Sequence, residues 1–293
     1  MLSRGMARTI SIVGAGRVGR TLGRRLHELG WQIGAVITRS AARSRSAARE
    51  IGAGTPHAGL TRLALGADII LLTTPDGTLA ETARILGEMG GEECRGKVVL
   101  HTSGALDRSV LDPLAQRGAA TGSIHPMQTF SGRGMPKLEG VIFAVEGDSQ
   151  ARRVAQEIVR ALEGISVAVD GRSKPAYHAA GALVASHGLA LVEAATQVLM
   201  KLGFTRRRAA GALLPLMRQM LDNFERLGPQ AAWTGPIARG DYATVEKHVR
   251  ALEEYPPEFG ESYASLSRLA GRVLSTKPAA TLRELDRALN KKK

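Results

Sequence analysis

A glycine-spaced loop near the N-terminus constrains this chain more than anything else in it. Thr9-Ile-Ser-Ile-Val13 is a β-branched run that leads directly into Gly14-Ala-Gly16-Arg17-Val18-Gly19, and helical periodicity takes over from Arg17 to Leu29. Strand, glycine loop and helix in immediate succession admit few folds, and the G-x-G-x-x-G spacing is that of a Rossmann dinucleotide-binding turn. Gly14 makes the tight turn, Gly16 lets the backbone approach a pyrophosphate, and Gly19 lets the helix pack on the strand. The helix N-terminus offers unpaired N–H groups and a positive dipole end to the phosphates, which adds Arg17 and Val18 to the expected contacts. A glycine turn without a ligand is the bland alternative.

Apolar runs at 34–38, 69–74, 98–102, 118–124, 141–145 and 166–169 read as further strands, and stretches between them such as 77–87 and 106–116 read as helices. That alternation predicts a mostly parallel, doubly wound sheet. After about Asp170 the strand signals stop, and 175–202, 206–227, 242–254, 257–274 and 279–289 read as helices. The expected organisation is an α/β Rossmann domain over 1–170 and an all-α domain over 171–293. A change of period near Gly171 marks the boundary, with no flexible linker and no internal repeat. At 293 residues each domain is long enough to bury its own core.

Composition removes several function classes. The single cysteine, Cys94, excludes an internal disulfide; with no ligand cluster around it, it reads as a structural thiol in a reducing cytoplasm. No metal site is expected. The first ten residues lack the apolar core of a secretory signal. The stretch 179–200 is long enough to span a bilayer, yet it carries Gly181, Ser186, His187, Gly188, Glu193 and Gln197, and reads instead as a buried helix. The net charge of +13 is spread over the chain, with tight runs only at Arg206-Arg207-Arg208 and Lys291-Lys292-Lys293. Without a basic stripe interleaved with aromatics, neither nucleic acid nor membrane is expected as a partner. A positive field suits an anionic cofactor and an anionic substrate.

The second strand ends in Ile37-Thr38-Arg39-Ser40, with no acid where NAD-binding proteins hold the ribose 2′-hydroxyl. Arg39 can stack on adenine and pair with a 2′-phosphate, while Thr38 and Ser40 offer hydroxyls, so NADP(H) is the expected cofactor. The other reading of Arg39 is a solvated surface arginine. Thr73-Thr74-Pro75-Asp76, His101-Thr102-Ser103 and His125-Pro126 also fall at carboxyl ends of strands, where open parallel sheets bind ligands. Thr74 and Pro75 are expected beside the nicotinamide. His125 and His101 each stay open between holding a loop and touching substrate.

Three longer stretches carry a family resemblance: His101-Thr-Ser103-Gly104-Ala105-Leu106, Ile124-His125-Pro126-Met127-Gln128-Thr129-Phe130 and Thr234-Gly235-Pro236-Ile-Ala-Arg239-Gly240-Asp241. With the glycine fingerprint and the helical second half, the chain resembles the 6-phosphogluconate/β-hydroxyacid dehydrogenase superfamily. Within it, the chain is similar to a group that joins a Rossmann-like domain to a helical domain of unknown function. That group resembles ketopantoate reductases and, more distantly, pyrroline-5-carboxylate reductases. The resemblance implies a substrate site between the domains and a homodimer formed through the helical domain. It implies substrate binding by Ser103 and Gly104, and a lysine at the start of the long helix, here Lys174. The asparagine that the resemblance expects four residues later is His178 in this chain.

Lys174 precedes Pro175, a residue favoured in the first turn of a helix. His178 follows one turn on, about 40° around the axis, so both side chains can point at one substrate atom. Ser103, Lys174 and His178 are the expected catalytic set, with Lys174 as proton donor; a solvated lysine and a packed histidine are the alternative. Ser103, Gly104, His125 and Arg239 are the expected substrate contacts, Arg239 as a fork for a carboxylate. Asp241 reads as a helix cap. These residues predict an NADP(H)-dependent oxidoreductase acting on a small anionic 2-oxo or hydroxy acid, with ketopantoate the best single guess. Imine reduction and a non-catalytic NADP(H) sensor are the alternatives.

Overall fold

The computed structural model describes residues 8–132 and 134–290. The lysine run at 291–293 lies outside them. In chain order the elements are β1 (Thr9–Val13), α1 (Arg17–Glu28), β2 (Gln32–Thr38), α2 (Ala41–Ile51), β3 (Thr55–Ala58), β4 (Ile69–Leu72) and α3 (Asp76–Gly90). They continue with β5 (Val98–His101), α4 (Asp112–Ala115), β6 (Ala120–Pro126), β7 (Ile142–Gly147), α5 (Ser149–Ala161) and β8 (Ile165–Ala168). Helices α6 (Lys174–Ala182), α7 (Gly188–Lys201), α8 (Arg206–Ala232), α9 (Tyr242–Leu252), α10 (Pro257–Val273) and α11 (Pro278–Leu289) follow, with a π-turn at Leu183–His187 between α6 and α7.

The strands form one sheet in the order β3-β2-β1-β4-β5-β6-β7-β8. All pairs are parallel except β6 with β7. The described residues between β6 and β7 form no helix that could carry the chain across, and β7 returns alongside β6 antiparallel. From β1 the chain winds first to β2 and β3, then back past itself to β4. That reversal opens a crevice beyond the carboxyl ends of β1 and β4. The sheet is covered on both faces. Ile10, Ile12, Leu22, Leu26, Val36 and Ile158 belong to the core on one side; Val13, Ile37, Ile70, Leu72, Leu79 and Val99 belong to the other. This is why β4, Ile-Ile-Leu-Leu, is buried throughout and reads as a continuous apolar run.

Three expectations need correcting. The edge strand β3, Thr-Pro-His-Ala, gave no apolar signal; Pro56 is tolerated there because an edge strand leaves one side unpaired. The helix expected over 106–116 is a 3-10 turn at Arg108–Leu111 followed by the single-turn α4, because Asp107 caps the turn and Pro113 restarts the helix. The stretch 179–200 is helical but not buried: within α7 only Thr196 is buried, while Leu189 is 70% exposed. Within its unit, α7 packs on α8, and Leu189, Leu191 and Met200 on it are exposed. By length and composition alone, Gly171–Lys201 could cross a membrane.

The chain divides by compactness between Ala185 and Ser186. The expected boundary near Gly171 instead marks where strands end. Residues 171–185 join the first unit because Lys174 is anchored inside it. The second unit has its own small core of Val245, Leu285 and Ala288, with Ile237, Tyr242 and Tyr263 packed against them. Cys94 is buried in the first unit, and that burial raises its thiol pKa, as suits a structural thiol.

Candidate active site

The glycine turn is built to leave its outer surface clear. Gly14 has φ +84°, and an added Cβ would lie 2.7 Å from the Thr74 backbone nitrogen, so only glycine fits. Gly14 N–H and Ala15 N–H both donate to Ile37 O, which ties the turn to β2. Gly19 packs on Thr73 and Ile12. Helix α1 begins with no side-chain cap and no acid in its first turn. Its N–H groups and dipole therefore face the crevice unopposed. Arg17 Nη1 reaches Phe130 O at 3.4 Å, linking the turn to the loop after β6.

A cavity of about 1050 Å³ runs over this turn. Its lining includes the expected contacts Gly14, Gly16, Arg17, Val18, Thr38, Arg39, Thr74 and Pro75. At the β2 end, Thr38 donates its hydroxyl proton to Ser40 O, and Ser40 Oγ caps α2 by accepting from Arg43 N–H. The Thr38 proton is committed to the loop, whereas Ser40 accepts and keeps its own O–H to donate. Arg39 and Arg43 both line the cavity, both are exposed, and neither makes an ion pair among the described residues. Arg43 escaped the sequence reading, although it stands one turn beyond Arg39. At the other end Thr74 Oγ1 is sealed from solvent and has no partner among the described residues.

Beyond β5 the loop 101–107 is fixed by its own polar groups. His101 is fully buried; Ser103 N–H donates to its Nδ1 at 3.2 Å, so its Nε2–H donates to Asp107 O. Burial, reinforced by Lys174, lowers its pKa to about 3, so the ring is neutral and structural. Ser103 Oγ donates to Asp76 Oδ2 at 2.9 Å and accepts from Ala105 N–H and Leu106 N–H. One donor and two acceptor sites are all a hydroxyl has. Ser103, expected as a catalytic and substrate-binding residue, thus shapes the loop and also lines the cavity.

Lys174, the expected proton donor, lies beneath this loop. It is 0% exposed, and its Nζ donates to Ser103 O at 2.9 Å and Ser123 Oγ at 2.7 Å. Burial lowers its pKa to about 8, against the opposing fields of Glu146, Asp107 and Asp76. The Glu146 carboxyl is in turn raised by burial, with Lys174 pulling the other way. The ammonium thus anchors α6 to the loop. His178 is exposed and lies against Gly104, where an added Cβ would sit 2.6 Å from its Cδ2. Gly181 packs on Met127, whose Sδ an added Cβ would approach to 2.9 Å.

Gly104 also abuts His125: an added Cβ would come within 2.7 Å of Nε2. His125 Nδ1 lies 3.1 Å from the Tyr177 hydroxyl, and the His125 ring meets both Tyr177 and His178 edge to face. Tyr177 was missed by sequence reading, though it stands next to His178. In the second unit, Asp241 caps α9 through Thr244 N–H and Oγ1, as its sequence position indicated. Arg239 is exposed and makes no ion pair among the described residues.

Residues 4–126 match the family model of a Rossmann-like domain, and residues 141–270 that of a domain of unknown function, DUF2520. No curated protein sequence matches the chain. Among solved structures, a Bacteroides fragilis protein assigned as an NADP oxidoreductase superposes with a TM-score of 0.74 at 22% identity, over 90% of this chain and 97% of that one. An imine reductase from Pseudomonas sp. gives 0.65 at 18% identity, covering 96% and 99% of the two chains. A reductive aminase from Aspergillus terreus, solved with NADPH and ethyl-5-oxohexanoate, gives 0.62 at 19%, covering 97% and 94%. At these identities the likeness establishes the fold.

Proposed function

We propose that this chain is an NADP(H)-dependent reductase that reduces a C=N or C=O bond of a small substrate. The observation that carries the cofactor is the pair Arg39 and Arg43, two guanidiniums without ion-pair partners among the described residues, at the carboxyl end of β2 with no acid in the loop. Arginine forks suit a 2′-phosphate, and the bare N-terminus of α1 suits the pyrophosphate. Thr74 Oγ1, sealed and unpartnered beside Gly14, gives the nicotinamide end a polar group still to be satisfied. The bound cofactor supplies hydride; the chain binds it, orients it and handles the proton.

An imine is the first reading of the substrate. Lys174, on which reduction of an oxo acid was expected to depend, is fully buried, and the fold is shared with an imine reductase and a reductive aminase. A 2-oxo acid such as ketopantoate is the second reading, favoured by the exposed guanidinium of Arg239. Oxidation of NADPH against a panel of cyclic imines and 2-oxo acids separates the two. NADPH is expected to bind at least about tenfold more tightly than NADH, a difference of about 1.4 kcal/mol. Replacing Arg39 and Arg43 together with Ala should erase that ratio, as read by fluorescence titration. Equal affinities in the unmodified chain would remove the 2′-phosphate assignment.

We further propose that two copies of the chain pair through α7 and α8 in a cytoplasmic dimer. Leu189, Leu202, Leu216, Leu221 and Phe224 leave a broad apolar surface on these two helices. Arg206, Arg207, Arg208, Arg218 and Arg226 on α8 argue against a lipid cover. A two-fold pairing covers the same face on both copies at once. Sedimentation equilibrium should give twice the 31.1 kDa of one chain. A monomer that partitions into vesicles would support the bilayer instead.

A further inference from the structure

Reduction of C=N or C=O adds a proton as well as a hydride, and some group must supply it. Ser103 has none to give, since its hydroxyl is committed to Asp76. Lys174 is sealed beneath the loop. His125 is placed differently. It sits near the carboxyl end of β6, the neighbour of β5, with Nε2 toward Gly104. Nε2 has no hydrogen-bond partner among the described residues. The unpartnered side-chain polar atoms sealed from solvent there are Thr74 Oγ1 and Thr121 Oγ1 alone, so Nε2 is open to a ligand. At Nδ1 stands the Tyr177 hydroxyl, 3.1 Å away. Burial raises the phenol's pKa, so it keeps its proton; when that hydroxyl donates to Nδ1, the ring proton sits on Nε2.

We propose that His125 is the proton-donating catalytic residue of this site, presenting Nε2–H to the substrate's imine nitrogen or carbonyl oxygen. Tyr177 is the positioning residue that fixes the tautomer and resupplies the ring. The proposal rests on the reductase reading above. As hydride reaches the substrate carbon, the π pair of the double bond moves to the nitrogen or oxygen, which takes the Nε2 proton. Nδ1 takes the phenolic proton in the same movement; once product has left, Nε2 takes a proton from water and Nδ1 returns its own to the Tyr177 oxygen, which restores the starting tautomer.

The relay is needed because the ring starts neutral. Burial lowers the His125 pKa to about 4, helped by His178 and Lys174 and opposed by Asp76. The charged and titratable groups facing the ring are Lys174, Tyr177 and His178 from α6, Asp76 from the start of α3, and neutral His101 from β5. An uncharged imidazole cannot easily release a proton at one nitrogen unless it gains one at the other. Gly104 keeps the approach clear, because any Cβ there would press on both histidines.

The deciding experiment uses the full chain labelled with 15N-histidine. The His125 signals, identified by their loss in His125→Gln, should show the neutral Nε2–H tautomer from pH 8 down to pH ~5.5, well above the ring's lowered pKa. Tyr177→Phe keeps the edge-to-face ring packing and should turn that signal into a mixture of tautomers. It should also lower turnover of 1-pyrroline about hundredfold above the pKa of the imine, with NADPH affinity unchanged. Below that pKa the substrate arrives protonated, and the deficit should narrow to about threefold or less. A Nδ1–H tautomer in the unmodified chain, or an unchanged spectrum in Tyr177→Phe, overturns the proposal. A turnover deficit that stays constant with pH overturns the donor role. Failure of the unmodified chain to bind NADPH would instead sink the reductase reading, and the tautomer result would stand by itself.

Discussion

Lys174→Met is expected to destabilise the fold by about 1–3 kcal/mol, the usual cost of leaving buried acceptors without their donor. Met matches the length of the lysine stem, so packing is largely kept and the change isolates the ammonium. Without it, Ser103 O and Ser123 Oγ lose their donor, and Glu146 loses a countercharge. Urea unfolding checks this directly. A variant that unfolds with the unmodified midpoint but turns over about a hundredfold more slowly would restore Lys174 as the proton donor.

The same variant carries a pH signature. The folded pKa of Lys174 lies at about 8, below the usual lysine value of 10.5. Between those two values the unfolded chain holds a proton that the folded chain has released, so this group's contribution to stability rises with pH across that window. Below pH 8 both states are protonated and the contribution is flat. The stability gap between the unmodified chain and Lys174→Met should therefore widen from pH 8 to 10. A gap that narrows over that range would mean that the folded state favours the ammonium.

What the sequence made legible follows from how local each signal is. The run Thr9–Val13 and the glycine spacing after it are contiguous, and β1, the turn and α1 follow from them. Strand β3 was invisible because an exposed edge strand needs no apolar alternation. Lys174 was correctly placed at a helix start, but its burial depends on Ser103 and Ser123, which lie 71 and 51 residues away in sequence. No pattern within one turn of Lys174 reports that. The same holds for Tyr177, whose value comes from His125, 52 residues earlier. The apolar stretch 179–200 showed that something must cover it, and composition cannot say whether the cover belongs to the same chain. Leu189 and Leu191 within it are exposed.

Gly16→Ala should separate a structural glycine from a cofactor-binding one. At Gly14 the two roles cannot be told apart, since φ is +84° and an added Cβ meets the Thr74 backbone; any substitution there disturbs the fold and the site together. Gly16 is different. Its φ is −82°, and an added Cβ would meet only Gly14 O, at an ordinary 3.6 Å. The chain alone therefore tolerates alanine, and the melting temperature should move by no more than about 1–2 °C. If the pyrophosphate lies over this turn, the methyl group holds it away from the first N–H groups of α1. Losing one or two charge-assisted hydrogen bonds, about 1.5–3 kcal/mol each, weakens NADPH binding by about a hundredfold. The loss should be similar for NADH, because Gly16 serves the part the two cofactors share, whereas replacing Arg39 and Arg43 should affect NADPH alone. An intact fold with unchanged NADPH affinity would place the phosphates elsewhere and remove the basis for reading the crevice as a cofactor site.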